Sequence, residues 1–137
     1  MSNLPPPASW YATGFDDSGW APGIVIYPDI GTGGAIWPEL APPAADEQAL
    51  GRRHFFLPPR AVSSATLTVA VNDQFLAAYL NGTLVHGAGP TGVATVTIPI
   101  DITLLVVGGQ NVLAFWLTNQ VGTGPGDAFL VWSLTIN

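Results

Sequence analysis

Apolar and polar side chains alternate with a period of two through much of the chain. The clearest run is Ala65-Thr66-Leu67-Thr68-Val69-Ala70-Val71-Asn72, where Leu67, Val69 and Val71 fall on one face and Thr66, Thr68 and Asn72 on the other. That period belongs to a strand with one buried face. The same reading predicts strands over residues 51–57, 75–80, 83–85, 94–98, 111–118 and 129–136, with a shorter one at 24–27. Helical periodicity is nearly absent.

The breaks between these runs carry turn chemistry. Asn81-Gly82 joins two predicted strands, and both residues tolerate the positive φ that a tight hairpin turn requires. Asp101 reads as an N-cap for one helical turn through Leu105, after which Gly108 and Gly109 reset the chain for the next strand. Seven or eight short strands separated in this way predict an all-β fold, an antiparallel β-sandwich or jelly roll. The whole of 1–137 reads as one domain with a loop-rich N-terminal third, about residues 1–50.

Several short segments occur in a recognisable order: Trp10, Phe15-Asp16-Asp17-Ser18-Gly19-Trp20, Ile36-Trp37-Pro38, Arg52-Arg53-His54-Phe55-Phe56-Leu57-Pro58, Tyr79-Leu80-Asn81-Gly82 and Gly109-Gln110-Asn111-Val112-Leu113-Ala114. Across roughly residues 10–136 this order resembles the galactose-binding-domain-like β-sandwich, a module found beside glycoside hydrolases and in secreted bacterial and phage particle proteins. The resemblance implies a jelly-roll scaffold with ligand sites on variable loops. In sugar-binding members it implies an aromatic platform, an Arg or Asn, and in some a calcium near the opening loop. Function does not follow from scaffold alone.

Charge changes the picture most. Only 9% of residues are charged, with no Lys and a net charge of -6, whereas soluble domains run near 25%. An acidic chain with three Arg residues cannot assemble the basic patch that nucleic acid requires. Cys is absent, which excludes disulfides, a thiol nucleophile and Cys-ligated zinc. No apolar run is long enough to span a membrane, and the start of the chain lacks the pattern of a signal peptide.

Candidate chemistry is sparse. Asp16 and Asp17 offer hard oxygen ligands, but adjacent carboxylates lack the alternating spacing of a calcium loop. They read as an Asx-type turn anchored by Phe15 and Trp20, with no metal or other cofactor expected. Asp29, Glu39, Asp46, Glu47, Asp73 and Asp127 fall in predicted loops without the partners that would mark a glycosidase pair. His54 and His86 have Ser63, Ser64 or Ser133 as conceivable partners, yet no Gly-x-Ser-x-Gly elbow is present. Gly31-Thr32-Gly33-Gly34 lacks the following helix and the Lys of a phosphate loop. The chain reads as non-catalytic.

The aromatic residues carry more information. Alternation puts Trp132 with Leu130, Leu134 and Ile136 in the core, and Leu113, Phe115 and Leu117 likewise. It turns Trp116 outward beside Ala114 and Thr118, and Phe56 outward beside His54. Outward rings of this kind serve a sugar-stacking platform, a satellite core under a loop, or a protein interface. Trp10, Tyr11, Tyr27 and Trp37, in the loop-rich third, serve either as a sugar platform or as anchors that order the loops. So few charges leave much of the surface Thr, Ser, Gly, Pro and apolar groups, which suits a covered surface better than bulk water. The expectation is a self-associating structural subunit of a larger protein assembly, a virion or other extracellular one, such as a capsid decoration or tail-associated phage protein. The alternative is a carbohydrate-binding module with glycan as its partner.

Overall fold

The computed structural model describes residues 6–20, 24–25, 36–37, 48–72, 74–87, 89, 94–118 and 129–137. Its strands are β1 (Ile24–Val25), β2 (Ile36–Trp37), β3 (Gln48–Leu57), β4 (Ala65–Asn72), β5 (Gln74–Leu80), β6 (Thr83–His86), β7 (Ala94–Ile100), β8 (Gly109–Thr118) and β9 (Phe129–Ile136). They form a four-stranded sheet in the order β3-β8-β5-β6, a three-stranded sheet in the order β7-β4-β9, and a small ribbon of β1 with β2. Every pairing is antiparallel. The chain is an all-β sandwich.

The alternation expected of β4 is what builds the core. Leu67, Val69 and Val71 are fully buried and meet Phe75 and Leu80 of β5 and Leu113, Phe115 and Leu117 of β8. Each such side chain contributes about 1.5–3 kcal/mol by leaving water, so this layer dominates the stability of the sandwich. Trp132 joins it half-buried, with its ring 5.8 Å from that of Phe115. Trp132 thus lines the core at its margin.

Strand boundaries follow the tertiary context. β3 starts three residues earlier than the alternation predicts, because Gln48, Ala49 and Leu50 pair in register with Thr118, Leu117 and Trp116. β7 runs on through Pro99 to Ile100, which an edge strand permits because a missing N–H can face away from the ladder. The ribbon strand β2 has no alternating signal in the sequence, being two residues long. Tyr27 lies outside the described residues, as do Gly31 to Gly34, and the strand expected there is described only at Ile24–Val25.

One end of the sandwich is closed by two asparagines. Asn81 and Gly82 take φ of +50° and +84°, the left-handed values a tight hairpin turn needs. The Asn81 side chain then accepts from the Val112 N–H and donates to the Leu104 carbonyl and to Asn111 Oδ1. Asn111 is wholly buried, and its amide also holds the N–H and the carbonyl of Val106. Between them lies the single helical turn, a 3₁₀ turn over Ile102–Leu104 capped by the Asp101 carboxylate, which accepts from the Thr103 N–H. Gly108, at φ +73°, donates its N–H to the Leu57 carbonyl and brings this loop against the end of β3.

Candidate functional site

Among the described residues, polar and aromatic side chains cluster on the outer face of the four-stranded sheet. Register places Arg52, His54 and Phe56 of β3 on this face, opposite Ala114, Val112 and Gln110 of β8, with Tyr79 of β5 on the far side of Ala114. Alternation alone makes this face solvent-exposed. In the structure Val112 and Ala114 are buried, because residues 6–20 lie across the sheet as a strap.

The strap is a series of turns, closed by hydrogen bonds from Ala12 N to Ser9 O, from Phe15 N to Ala12 O and from Trp20 N to Asp17 O. It has no ladder of its own. Aromatic contacts hold one half. Tyr11 stacks on Tyr79 with ring centroids 4.2 Å apart and planes 8° from parallel, and Trp10 meets Tyr79 edge-on at 5.7 Å. Trp10 is only 3% exposed and packs on Trp20 as well. Burial, with the neighbouring Tyr11 hydroxyl second, raises the Tyr79 phenol above its usual range.

Arg52 holds the other half. Its side chain is 1% exposed, its Nε donates to Asp17 Oδ2 at 2.7 Å, and its Nη1 donates to the carbonyls of Trp10 and Ala12 at 2.6 and 2.9 Å. The guanidinium also sits 5.5 Å from the centre of the Phe15 ring. Asp17 Oδ2 receives His54 Nε2 as well, at 2.8 Å. The hydrogen bond from His54, followed by that from Arg52, holds the Asp17 carboxyl below its usual value. An ionised carboxylate only accepts, so His54 is the donor through Nε2 and Nδ1 is left to a neutral ring as its acceptor.

The residues expected to carry function separate into four groups. Trp10, Tyr11 and Trp20 are anchors of the strap, and as packed Trp10 has no surface to offer a ligand. Trp116 points outward as alternation requires, yet it is half-buried and donates its indole N–H to Gln48 Oε1. His54 and Phe56 remain open, at 49% side-chain and 56% residue exposure. Trp37 supplies backbone to β2, and its side chain lies outside the described residues.

Asp16 and Asp17 divide their roles. Asp16 makes the expected Asx-type turn by accepting from the Ser18 N–H at 3.0 Å, and a hydrogen bond from the Ser18 side chain, followed by this one, lowers its carboxyl below the usual range. Asp17 departs from that reading and reaches across to β3. Asn81 and Gly82 form the expected turn, and Asn81 is in addition a cross-link that hairpin propensity does not foretell.

Other candidate chemistry does not converge. The carboxylates Asp29, Glu39, Asp46, Glu47, Asp73 and Asp127 lie outside the described residues. His86 faces the core side and stacks on Phe75 at 5.4 Å, and among the described residues no hydrogen bond joins either histidine to a serine. Among the same residues no three His, Asp or Glu side chains gather as a metal site, and no helix is long and apolar enough to cross a membrane. Arg52 is the residue that sequence reasoning missed. Its signal was the position itself, an Arg two residues before His54 on the outward face of a strand.

Neither a protein-family model nor a curated protein matches the sequence. Among solved structures, the crystal structure of a GH78 family rhamnosidase from Bacillus sp. GL1 is similar, with a TM-score of 0.61 and 19% sequence identity. The match covers 75% of this chain and 11% of that one. At that identity the likeness is one of fold, a β-sandwich unit within a much longer protein.

Proposed function

We propose that the chain is a non-catalytic carbohydrate-binding module of the galactose-binding-domain-like type. One observation carries this reading: an exposed flat ring, Phe56, stands beside an imidazole, His54, whose orientation Asp17 fixes, on one face of one strand. Apolar rings stack on the C–H face of a sugar, and a fixed polar neighbour supplies direction. The likeness to a unit of a rhamnosidase supports a role beside carbohydrate chemistry. The carboxylate–histidine pair that does meet, Asp17 with His54, shares its carboxylate oxygen with a buried Arg, an arrangement that suits holding a strap more than turnover. A glycan array tests the reading with the full chain. Retention of at least one glycan is expected, and an array with no binding ends it.

A second reading is favoured by the end of the sandwich near Leu57. There Val106 and Val107 are exposed, in the loop whose Gly108 donates to the Leu57 carbonyl and lies against Pro59, in a chain with 9% charged residues. Adjoining apolar groups of this kind mark protein contacts. On this reading the chain is a structural subunit of a virion or other extracellular assembly, self-associating or docked on a larger lattice. The comparisons lend nothing to a phage particle as the setting. Light scattering on the isolated chain separates the readings: oligomers that Val106→Ser with Val107→Ser dissolves speak for assembly, and a monomer at high concentration speaks against it.

A further inference from the structure

We propose that His54, Phe56 and Gln110 together form a subsite for one uncharged pyranose ring, laid flat on Phe56 at the edge of the four-stranded sheet. The inference rests on the carbohydrate-binding reading and gives it a place and a ligand class.

Register brings the three side chains together. Phe56 of β3 is directly opposite Gln110 of β8, and His54 lies two residues earlier on the same face of β3. Residues two apart on a strand are separated by about 6.7 Å and directly opposite residues by about 5 Å, so the aromatic ring has a polar group on two sides. All three residues are exposed, whereas the next positions inward on this face, Arg52 and Val112, are covered. The strap therefore ends where the open strip begins.

The polar groups are of matching kinds. His54 gives its Nε2–H to Asp17, so in the neutral ring Nδ1 accepts from a ligand hydroxyl. The Gln110 amide offers both a donor and an acceptor. Such a pair suits vicinal hydroxyls on one edge of a sugar whose C–H face rests on Phe56.

Charge selects against acidic sugars. Arg52 is sealed beneath the strap, bound to Asp17, Trp10 and Ala12 with its remaining Nη2 buried, and the Arg60 guanidinium donates to the Ile136 carbonyl on the other sheet. Asp17 is ionised and adjoins the strip, and the chain carries a net charge of -6. Arg53, exposed one residue before His54, lies on the opposite face of β3, across from Leu113, so a uronate on this strip would meet no uncovered arginine on its own face.

The test uses the full chain with methyl α-L-rhamnopyranoside, methyl β-D-galactopyranoside and galacturonate as probes, read by saturation-transfer NMR and by titration. A neutral glycoside should bind in the millimolar range and more tightly than galacturonate. Phe56→Ala should weaken it about tenfold, and Gln110→Ala roughly threefold to tenfold. Phe56→Tyr should retain binding and Thr97→Ala, on the other sheet, should leave it unchanged, with circular dichroism verifying that each variant is folded. If a glycan still binds Phe56→Ala with full affinity, the module binds sugar elsewhere and this subsite is wrong. If galacturonate binds more tightly, the ligand class is wrong. If neither these probes nor any array glycan binds the unmodified chain, the carbohydrate reading falls and takes the subsite with it.

Discussion

Arg52 Nε lies 2.7 Å from Asp17 Oδ2, and this contact joins the N-terminal strap to the sheet across 35 residues of chain. The same guanidinium holds two strap carbonyls, so removing it leaves both without this donor and the Asp17 carboxylate with His54 as its cross-sheet partner. Breaking one side of a largely buried ion pair is costly, and Arg52→Ala should lose about 3 kcal/mol of stability in denaturant titration. Arg52→Lys should recover little of it, since an ammonium lacks the planar fork that serves Nε and Nη1 contacts together. A variant as stable as the parent would show that the strap is held by Tyr11 and Trp10 alone.

Acid should release the strap within a defined range. The Asp17 carboxyl is lower in the folded protein than in an unfolded chain, because it accepts from His54 and Arg52. A group depressed in this way adds stability that is complete above its unfolded value and vanishes as pH falls through the folded one. Emission from Trp10 and Trp20 is therefore expected to stay constant from neutral pH to about 5 and to change below about 4. Asp17→Asn should lack that acid step. Asp101 and Asp16 are lowered for their own local reasons and add to acid sensitivity in the same direction, so the comparison between parent and Asp17→Asn is the decisive one.

Asn111→Leu probes the closed end of the sandwich. The buried amide receives the Val106 N–H and Asn81 Nδ2 and donates to the Val106 and Gly109 carbonyls, so an apolar side chain of similar size leaves several buried groups without partners. We expect a loss of about 3 kcal/mol and faster amide exchange at Val106 and at Val112, which Asn81 also holds. Loss of stability without change at Val112 would mean that the two asparagines act separately.

Gly82→Val tests the turn beneath that network. At φ +84° a β-branched residue is strained, and an added Cβ would lie 3.6 Å from the Ala12 Cα, so space is adequate and the conformation is the obstacle. About 1–2 kcal/mol of destabilisation is expected from thermal unfolding. Gly51→Ala, where an added Cβ meets nothing within 4 Å, is the neutral control.

Leu67→Ala should cost about 2–5 kcal/mol by leaving a cavity between the two sheets. Leu67 is fully buried on the central strand of its sheet, where neighbours on both sides limit collapse.

The alternation of Leu67, Val69 and Val71 was enough to place β4 and its buried face, because a period of two is a local property that any sheet must obey. The same holds for the Asn81-Gly82 turn and the Asp101 cap, each set by a few adjacent residues. The outward face of β8 was legible only as a direction: Val112 and Ala114 do point away from the core, yet they are buried because a distant segment covers them. Asp17 reads locally as a turn residue, and its actual partners, Arg52 and His54, lie more than thirty residues on. Trp10 reads from the sequence as either a platform or a loop anchor and Phe56 as an outward ring, and the structure makes the first an anchor and leaves the second open. Local periodicity therefore specified most of the strands, the core and the all-β class, but not the ribbon strand β2 or the ends of β3 and β7. Which outward side chains meet a strap, and which face water, was decided by contacts between segments far apart in the chain, where side-chain period carries no information.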